Sequence, residues 1–174
     1  MGSPVDGPRV REVSLQLDDI SWLILEILQA DARISYRELG ARVGLSAPAV
    51  TERVRRLERA GVITGYRAQL DFEALGLPLL AIIRITARGG ASYRGVGTWA
   101  ADRPEVIECH RVTGSESHVI RVVCSSTAHL EALIDDLTDA YDVGTLTHIV
   151  TSSPVPWSHV SREVVERGTP SPAG

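Results

Sequence analysis

Residues 35–61 read SYRELGARVGLSAPAVTERVRRLERAG, and this stretch decides the fold of the N-terminal half. Ser35 followed three residues later by Glu38 is a capping box, which predicts the start of a helix. Gly44 ends that helix, because glycine readily adopts the left-handed conformation needed there. Ser46 caps the next helix, whose first turn tolerates Pro48 because the amides there lack intrahelical partners. The stretch therefore predicts two helices joined by a tight turn.

A further helix is predicted before this pair, with Asp18 or Asp19 as its N-cap. Its apolar face is formed by residues at helical spacing, namely Leu17, Ile20, Leu23, Ile24, Ile27 and Leu28. On the last helix the core face is predicted to be Val50, Val54 and Leu57. Three helices with a tight Gly-Leu-Ser turn form a helix-turn-helix. Residues 62–70 predict a short hairpin or strand, as in a winged variant.

The second half of the chain changes its period. Apolar runs rich in β-branched residues predict strands over residues 79–87, 106–113, 119–124 and 145–151. Helical spacing predicts helices over residues 92–102 and around residues 130–137. The order β-α-β-β-α-β is that of the ferredoxin-like, or split βαβ, arrangement. The predicted fold class is α+β, with an N-terminal winged helix-turn-helix and a C-terminal ferredoxin-like domain.

The predicted organisation has five parts. They are a flexible arm (1–14), the winged helix-turn-helix domain (15–70), a hinge (71–78), the C-terminal α+β domain (79–155) and an irregular tail (156–174). Trp157 is expected to pin part of that tail to the body of the protein.

Composition limits the class of protein. The 174 residues are 44% hydrophobic and 23% charged, as in ordinary globular chains. No apolar run reaches the ~18 residues of a membrane span, and the N-terminus has no signal-peptide core, so a cytoplasmic protein without membrane contact is expected. Cys109 and Cys124 are expected in the core, and the five histidines show no metal-binding spacing, so neither metal nor cofactor is predicted.

Charge is distributed unevenly along the chain. Residues 33–67 hold eight arginines and three glutamates, a net charge of +5, which leaves −9 for the rest of a chain whose total is −4. Every one of the 18 basic residues is arginine. A basic segment that coincides with a helix-turn-helix predicts binding to double-stranded DNA, although a run of charges is also typical of a solvated helix face.

The third helix carries the predicted DNA-binding residues. Small residues near its start allow close approach to base edges. Arg53 is a candidate for guanine or for phosphate, and Arg56 and Arg59 are candidates for phosphates. Glu52 either contacts a cytosine amine or is held by Arg55 or Arg56. The full predicted set is Arg37, Ser46, Ala47, Pro48, Ala49, Thr51, Glu52, Arg53, Arg55, Arg56 and Arg59, flanked by Arg33, Arg42 and Arg67.

Residues 113–117 form a second candidate site between two predicted strands. Gly114 permits a ligand to approach backbone amides, and Glu116 is a candidate partner for an ammonium group. Glycine and serine are equally typical of a plain hairpin turn, and both interpretations stay open from the residues alone.

The chain resembles the Lrp/AsnC family of leucine-responsive, or feast/famine, regulators over roughly residues 15–155. The resemblance is carried by the segments Leu17-Asp18-Asp19, Ala32-Arg33-Ile34-Ser35, Arg42-Val43-Gly44-Leu45-Ser46, Arg53-Val54-Arg55-Arg56-Leu57-Glu58, Gly61-Val62-Ile63-Thr64-Gly65-Tyr66 and Glu108-Cys109-His110-Arg111-Val112-Thr113-Gly114. It implies a transcriptional regulator that dimerises through the sheets of its sensor domain and often assembles into tetramers or octamers.

The resemblance also implies a small-molecule effector, an amino acid or related metabolite bound between subunits. Carried over by position, the effector-binding residues would be Val112, Thr113, Gly114, Ser115, Glu116, Ser117 and His118, with Ile149, Val150 and Thr151 of the final strand nearby. The family usually has Gly-Asp-x-Asp in this loop, and here both aspartates are replaced, by Ser115 and Ser117. A dimer would present two recognition helices, so the expected operator is a pseudo-palindrome.

Two other classes of function fit the sequence less well. An enzyme is not indicated, because the sequence has no nucleophile elbow, phosphate-binding loop or paired carboxylates in a glycine-framed cleft, and no catalytic residue is predicted. An architectural DNA-binding protein without an effector is the alternative. The acidic remainder of the chain argues against it, because coating bulk DNA favours overall positive charge.

Overall fold

A computed structural model describes residues 17–87 and 95–168. Within these ranges the helices are α1 (Asp19–Ala30), α2 (Tyr36–Val43), α3 (Ala47–Arg59), α4 (Val96–Ala101), α5 (Thr127–Ala140) and α6 (Arg162–Gly168). The strands are β1 (Leu79–Ala87), β2 (Val106–Arg111), β3 (His118–Cys124) and β4 (Val143–Ile149). The described residues divide into two compact units, one from residues 17–68 and 155–168 and the other between residues 69 and 154.

The first unit is the predicted three-helix arrangement, and its caps are those expected from the sequence. Asp18 accepts from the Ser21 amide, Ser35 from the Glu38 amide and Ser46 from the Ala49 amide. Gly44 ends α2 at a φ of 71°, in the left-handed region. The core of this unit consists of Ile24, Leu28, Ile34, Leu39, Val43, Val50, Val54 and Leu57.

The turn between α2 and α3 depends on a close backbone approach at Gly40. This glycine is buried in the middle of α2, and a Cβ placed on it would lie 2.5 Å from the carbonyl oxygen of Leu45. Leu45 in turn donates its amide to the Gly40 carbonyl at 2.9 Å. The turn therefore packs directly against helix backbone, which only glycine at position 40 allows.

Two local expectations for this unit were wrong. Glu38 was expected to complete the capping box, but its carboxylate accepts from Arg42 at 2.6 Å, one helical turn further along. Residues 62–70 were expected to form a hairpin or strand, and the structure has no strand there. The amides of Val62 and Ile63 both donate to the Leu57 carbonyl at the end of α3, so they are not available for strand pairing.

The tail contains a helix, α6, where an irregular segment was expected. The prolines of the tail lie outside α6, so they do not interrupt it, and Glu163 pairs with Arg167 at i,i+4. Trp157 is 60% exposed, so it is not the anchor. Instead, Gln29 of α1 both donates to the carbonyl of Val160 at 3.1 Å and accepts from its amide at 2.8 Å.

The second unit is an antiparallel sheet in the order β2-β3-β1-β4, with the order and connections of a ferredoxin-like domain. β1 lies in the middle, with Ile83 opposite Ile120 of β3 and Thr147 of β4. β4 begins and ends two residues earlier than expected. The described part of the predicted helix over residues 92–102 is α4, and residues 92–94 lie outside the described range.

The sheet has one covered and one uncovered face. Ala81, Ile83 and Ile85 of β1 are fully buried in a core with Trp99 of α4 and Leu137 of α5. Because neighbouring strand residues point to opposite faces, Leu80, Ile82 and Arg84 lie on the other side. The three are only partly buried.

Polar side chains connect helices α4 and α5 of this unit to each other and to the start of β2. Trp99 donates its indole N–H to Asp136 of α5 at 2.7 Å, and Arg103 binds the same oxygen. His129 of α5 lies 3.0 Å from Glu105, and this hydrogen bond lowers the pKa of the Glu105 carboxyl. These contacts tie α4 and α5 to each other and to the start of β2.

Substituting Gly40 with alanine is expected to destabilise the helix-turn-helix by about 1–3 kcal/mol, because the new Cβ would collide with the backbone of Leu45. Chemical denaturation monitored by circular dichroism measures the loss. Gly97→Ala in α4 is the matched control, because nothing lies within 4 Å of its added Cβ. Equal stability of the two variants would contradict the close approach.

Candidate nucleic-acid interface and effector loop

The outward face of α3 is defined by its buried face. Val50 and Val54 are fully buried and Leu57 is 2% exposed. At about 100° per residue, the opposite side of the helix carries Pro48, Glu52, Arg55, Arg56 and Arg59. All five of these are exposed.

Arg53, the predicted partner of guanine, lies between these two faces and is held within the protein. Its Nη1 donates to both carboxylate oxygens of Asp18, at 2.8 and 2.7 Å, and to the Ser21 hydroxyl at 3.2 Å. Hydrogen bonds from Ser21 and from Arg53 lower the pKa of Asp18 to about 2. The Arg53 side chain is 31% exposed, because its position on the helical wheel faces the N-terminus of α1. Its contact with DNA stays a prediction.

Other predicted recognition residues are also engaged. Glu52 is held by Arg59 at 2.5 Å, two turns away, and not by Arg55 or Arg56. The Thr51 hydroxyl donates to the Ala47 carbonyl at 2.8 Å. Ala47, Ala49 and Thr51 are all partly buried, and Ser46 is committed as the cap of α3.

Some arginines of this unit remain uncommitted. Among the described arginines of residues 33–67, five are exposed and have no ion pair or hydrogen bond from the side chain, namely Arg33, Arg37, Arg55, Arg56 and Arg67. Arg42, Arg53 and Arg59 are paired with Glu38, Asp18 and Glu52. Arg55 and Arg56 are therefore the cations that α3 presents to a partner.

The loop at residues 112–117 is the hairpin connection between β2 and β3. Val112 donates its amide to the Ser117 carbonyl at 3.1 Å, and Gly114 has a φ of 114°, a conformation that favours glycine. Ser117 is fixed to the middle strand, since its amide donates to the Ile85 carbonyl at 2.7 Å. Val112, Thr113, Gly114 and Ser115 are exposed.

Glu116 and Arg84 form a pair at this end of the sheet. Arg84 of β1 donates through Nη2 to Oε1 of Glu116, and the Ser115 hydroxyl donates to Oε2 at 2.9 Å. The Glu116 side chain is 17% exposed and that of Arg84 is 40% exposed. Arg84 was missed in the sequence, although a lone charge inside the apolar run of β1 was a usable signal.

The remaining predicted effector residues are divided between the two ends of the sheet. His118 begins β3 beside Ser117 and is buried. Burial is the main cause that lowers its pKa, and the charge of Arg111 is the smaller one. Ile149 pairs with Ala81, whereas the loop lies beside Ile85. Four residues of strand separate these positions, about 13 Å, and Thr151 lies beyond Ile149. Within one chain, Ile149 and Thr151 do not join the loop.

A helix-turn-helix with uncommitted arginines on its outward face, joined to a separate α+β unit, defines a DNA-binding regulator with a sensor domain. Comparison with known proteins agrees with this class. Residues 17–64 match the family model for winged helix-turn-helix DNA-binding domains, and residues 80–158 match the Lrp/AsnC ligand binding domain.

Individual relatives cover most of the chain. LrpC of Bacillus subtilis, an HTH-type transcriptional regulator, is 36% identical over 79% of this chain and 94% of its own length. The leucine-responsive regulatory protein of Rhizobium meliloti is 37% identical over 80% of this chain and 91% of its own length. A solved structure of the feast or famine regulatory protein from Mycobacterium tuberculosis, complexed with L-methionine, superposes with a TM-score of 0.74, is 36% identical, and covers 79% of this chain and 94% of that one.

The chain therefore belongs to the Lrp/AsnC family of transcriptional regulators, which are DNA-binding proteins with an effector-binding domain and not enzymes. In the ranges that the structure describes, no helix is long and apolar enough to cross a membrane.

The ion pair of Arg53 with Asp18 makes a prediction about stability. A carboxyl whose pKa is depressed from 3.8 to about 2 stabilises the fold above pH 4, and this contribution is lost as the pH falls towards 2. Arg53→Ala should lower the free energy of unfolding by about 1 kcal/mol at neutral pH, since the pair is partly exposed, and should flatten its dependence between pH 4 and 2.

Denaturant titrations at several pH values measure this effect. Arg55→Ala removes the same charge from a side chain without an ion pair in the described structure, and it should leave both stability and pH profile unchanged. A steeper acid dependence in Arg53→Ala than in the unmodified chain would show that the pair does not stabilise the fold.

Proposed function

We propose that the chain acts as a homodimer that binds a pseudo-palindromic operator through α3 of each protomer. An amino acid or related metabolite, bound around residues 112–118, changes the geometry of assembly and with it the affinity for DNA. The observation that carries the DNA-binding part is the row of exposed, uncommitted arginines opposite the fully buried face of α3.

Arg55 and Arg56 are the proposed DNA contacts that replace Arg53. Their guanidinium groups present several donors in a planar fork, which matches both phosphate oxygens and the acceptor edge of guanine. Arg37 on α2 supplies a further phosphate contact. Pro48, with the small residues Ala47 and Ala49, keeps the start of α3 narrow enough to enter the major groove.

The proposed dimer uses the uncovered face of the sheet. The strip on that face holds the apolar residues Leu80 and Ile82 of β1 and Val119 of β3. It also holds Arg121, which is opposite Ile82 and paired with Glu108, and Arg84, which is opposite Val119. Helices α4 and α5 pack on the opposite face, and the strip is only partly buried. An apolar sheet face of this kind is stabilised when a second copy covers it.

The effector part rests on the hairpin at residues 112–117 and on the family's ligand-binding domain. The M. tuberculosis relative described with L-methionine supports an amino acid or a related compound as ligand. Coupling between ligand and DNA is reciprocal, so a ligand that weakens DNA binding is itself bound more weakly by the DNA complex.

Arg55→Ala and Arg56→Ala should each weaken DNA binding, because each removes a cation that displaces counterions from DNA. The slope of log affinity against log salt should fall by about 1 for each phosphate contact that a substitution removes. A variant that contacts a base should also lose about 1–3 kcal/mol of discrimination at one position. Fluorescence anisotropy over a salt series, with an operator and a scrambled duplex, measures both effects.

Arg167→Ala in α6 is the charge-matched control and should leave affinity and salt slope unchanged. If Arg55→Ala and Arg56→Ala also left both quantities unchanged, the outward face of α3 would not be the DNA-binding surface. Binding that is equally tight to operator and scrambled duplex would favour the architectural alternative over a sequence-specific regulator.

Ile82→Arg should dissociate the dimer, because it places a charge at the centre of the uncovered sheet face, where a partner would otherwise bury isoleucine. Sedimentation velocity measures the mass of the assembly, and circular dichroism checks the fold. Thr98→Arg, at an exposed position of α4 on the other side of the sheet, is the control that should leave the dimer intact. A dimer of unchanged affinity in Ile82→Arg would place the interface elsewhere.

A further inference from the structure

The only carboxylate among residues 112–118 is already satisfied by the protein. One oxygen of Glu116 accepts from Arg84 and the other from the Ser115 hydroxyl at 2.9 Å. With 17% of its side chain exposed, this carboxylate offers little surface to a ligand. A ligand ammonium would have to displace Arg84 from it.

The two serines of the hairpin, Ser115 and Ser117, do not supply another negative charge. Ser115 donates to Glu116, and the Ser117 hydroxyl lies 3.2 Å from the Ile85 carbonyl, to which it donates. A serine that uses its proton in this way keeps lone pairs but carries no charge. The hairpin therefore has no uncommitted anion to neutralise an ammonium group.

The charged group that this end of the sheet does present is the guanidinium of Arg84. Its side chain is 40% exposed, and Nη2 provides its contact with Glu116. A guanidinium has five N–H donors arranged to bind a carboxylate in a bidentate manner. Arg111, near enough to depress the pKa of buried His118 once burial has lowered it, adds positive potential at the same end.

Apolar surface lies beside this cation. Leu146 of β4 is opposite Arg84 in the β1–β4 register and is 52% exposed in a single protomer. Both lie on the sheet face proposed for the dimer, so a ligand here would lie between the protomers. Val112, at the start of the hairpin, is 36% exposed. Together these side chains suit a ligand with a carboxylate at one end and a short hydrocarbon chain at the other.

We infer that this site selects carboxylic acids without an α-ammonium group, such as 2-oxo acids, over the corresponding α-amino acids, and that Arg84 is the selecting residue. The inference rests on the proposed function, in which the effector binds around residues 112–118. The ligand carboxylate binds Arg84, which keeps its bond to Glu116, and the hydrocarbon chain lies against Leu146. An α-ammonium would be repelled by the same guanidinium and find no free carboxylate.

Isothermal titration calorimetry of the full chain with matched ligand pairs tests this selection. The probes are 4-methyl-2-oxopentanoate against L-leucine, and the 2-oxo acid of methionine against L-methionine. Each 2-oxo acid is expected to bind at least ten-fold more tightly than its amino acid. Arg84→Gln should weaken binding of the 2-oxo acid at least ten-fold, whereas Arg103→Gln, which breaks an ion pair with Asp136 instead, should leave it unchanged.

Glu116→Gln tests whether Glu116 competes with the ligand carboxylate for Arg84 or binds a ligand ammonium group. If Arg84 selects the ligand, the variant should bind 2-oxo acids as tightly as the unmodified chain or more tightly, because the guanidinium loses a competing anion. Tighter binding of the amino acids, with that binding abolished in Glu116→Gln, would overturn the inference and leave the proposed effector site standing. The inference would also be overturned if neither the 2-oxo acids nor the amino acids bound. If, in addition, neither class changed the affinity for DNA, the proposed control by an effector would fail as well.

Discussion

The close approach of α2 to the following turn is the constraint on which the DNA-binding unit depends. Because Gly40 has no Cβ, the carbonyl of Leu45 packs against the backbone of α2. The turn between α2 and α3 can therefore be short, and it consists of residues 44–46. That short connection fixes where α3 begins and hence which of its sides meets α1. The burial of Val50, Val54 and Leu57 follows from this geometry, and the outward position of Arg55 and Arg56 follows from that burial.

Charge counted along the sequence overstates what this surface offers to DNA. Of the eight arginines in residues 33–67, three are neutralised by carboxylates of the same unit. Asp18 serves twice, as the N-cap of α1 and as the partner of Arg53, so it links the start of one helix to the middle of another. Contacts with phosphate position a protein without giving it sequence preference. Specific binding therefore depends on the few exposed arginines that can reach base edges.

Most helix caps and the burial alternation were predictable from neighbours in the sequence, although Glu38 and α6 were not, and pairs between distant residues were not predictable. The three caps, the left-handed Gly44 and the alternation that buries Ile83 depend on residues within a few positions of each other. Arg53 meets Asp18 across 35 residues, and Arg84 meets Glu116 across 32. A lone charge such as Arg84 in an apolar run signals that a partner exists, but it does not identify the partner. The position of Ile149 likewise depended on the register of β4 against β1, which periodicity alone does not fix.

The division into two units limits how an effector can act. The uncommitted arginines belong to the helical unit, and the hairpin at residues 112–117 belongs to the sheet unit. A ligand at the hairpin changes DNA affinity only by as much as it distinguishes two arrangements of the protein. In the proposed dimer, held together by its sheets, the arrangement that matters is the spacing of the α3 helices along DNA, because half-sites recur with the helical turn. A ligand that favours one spacing therefore selects among operators, and a change of operator spacing should alter the response to the ligand without any change in its binding site.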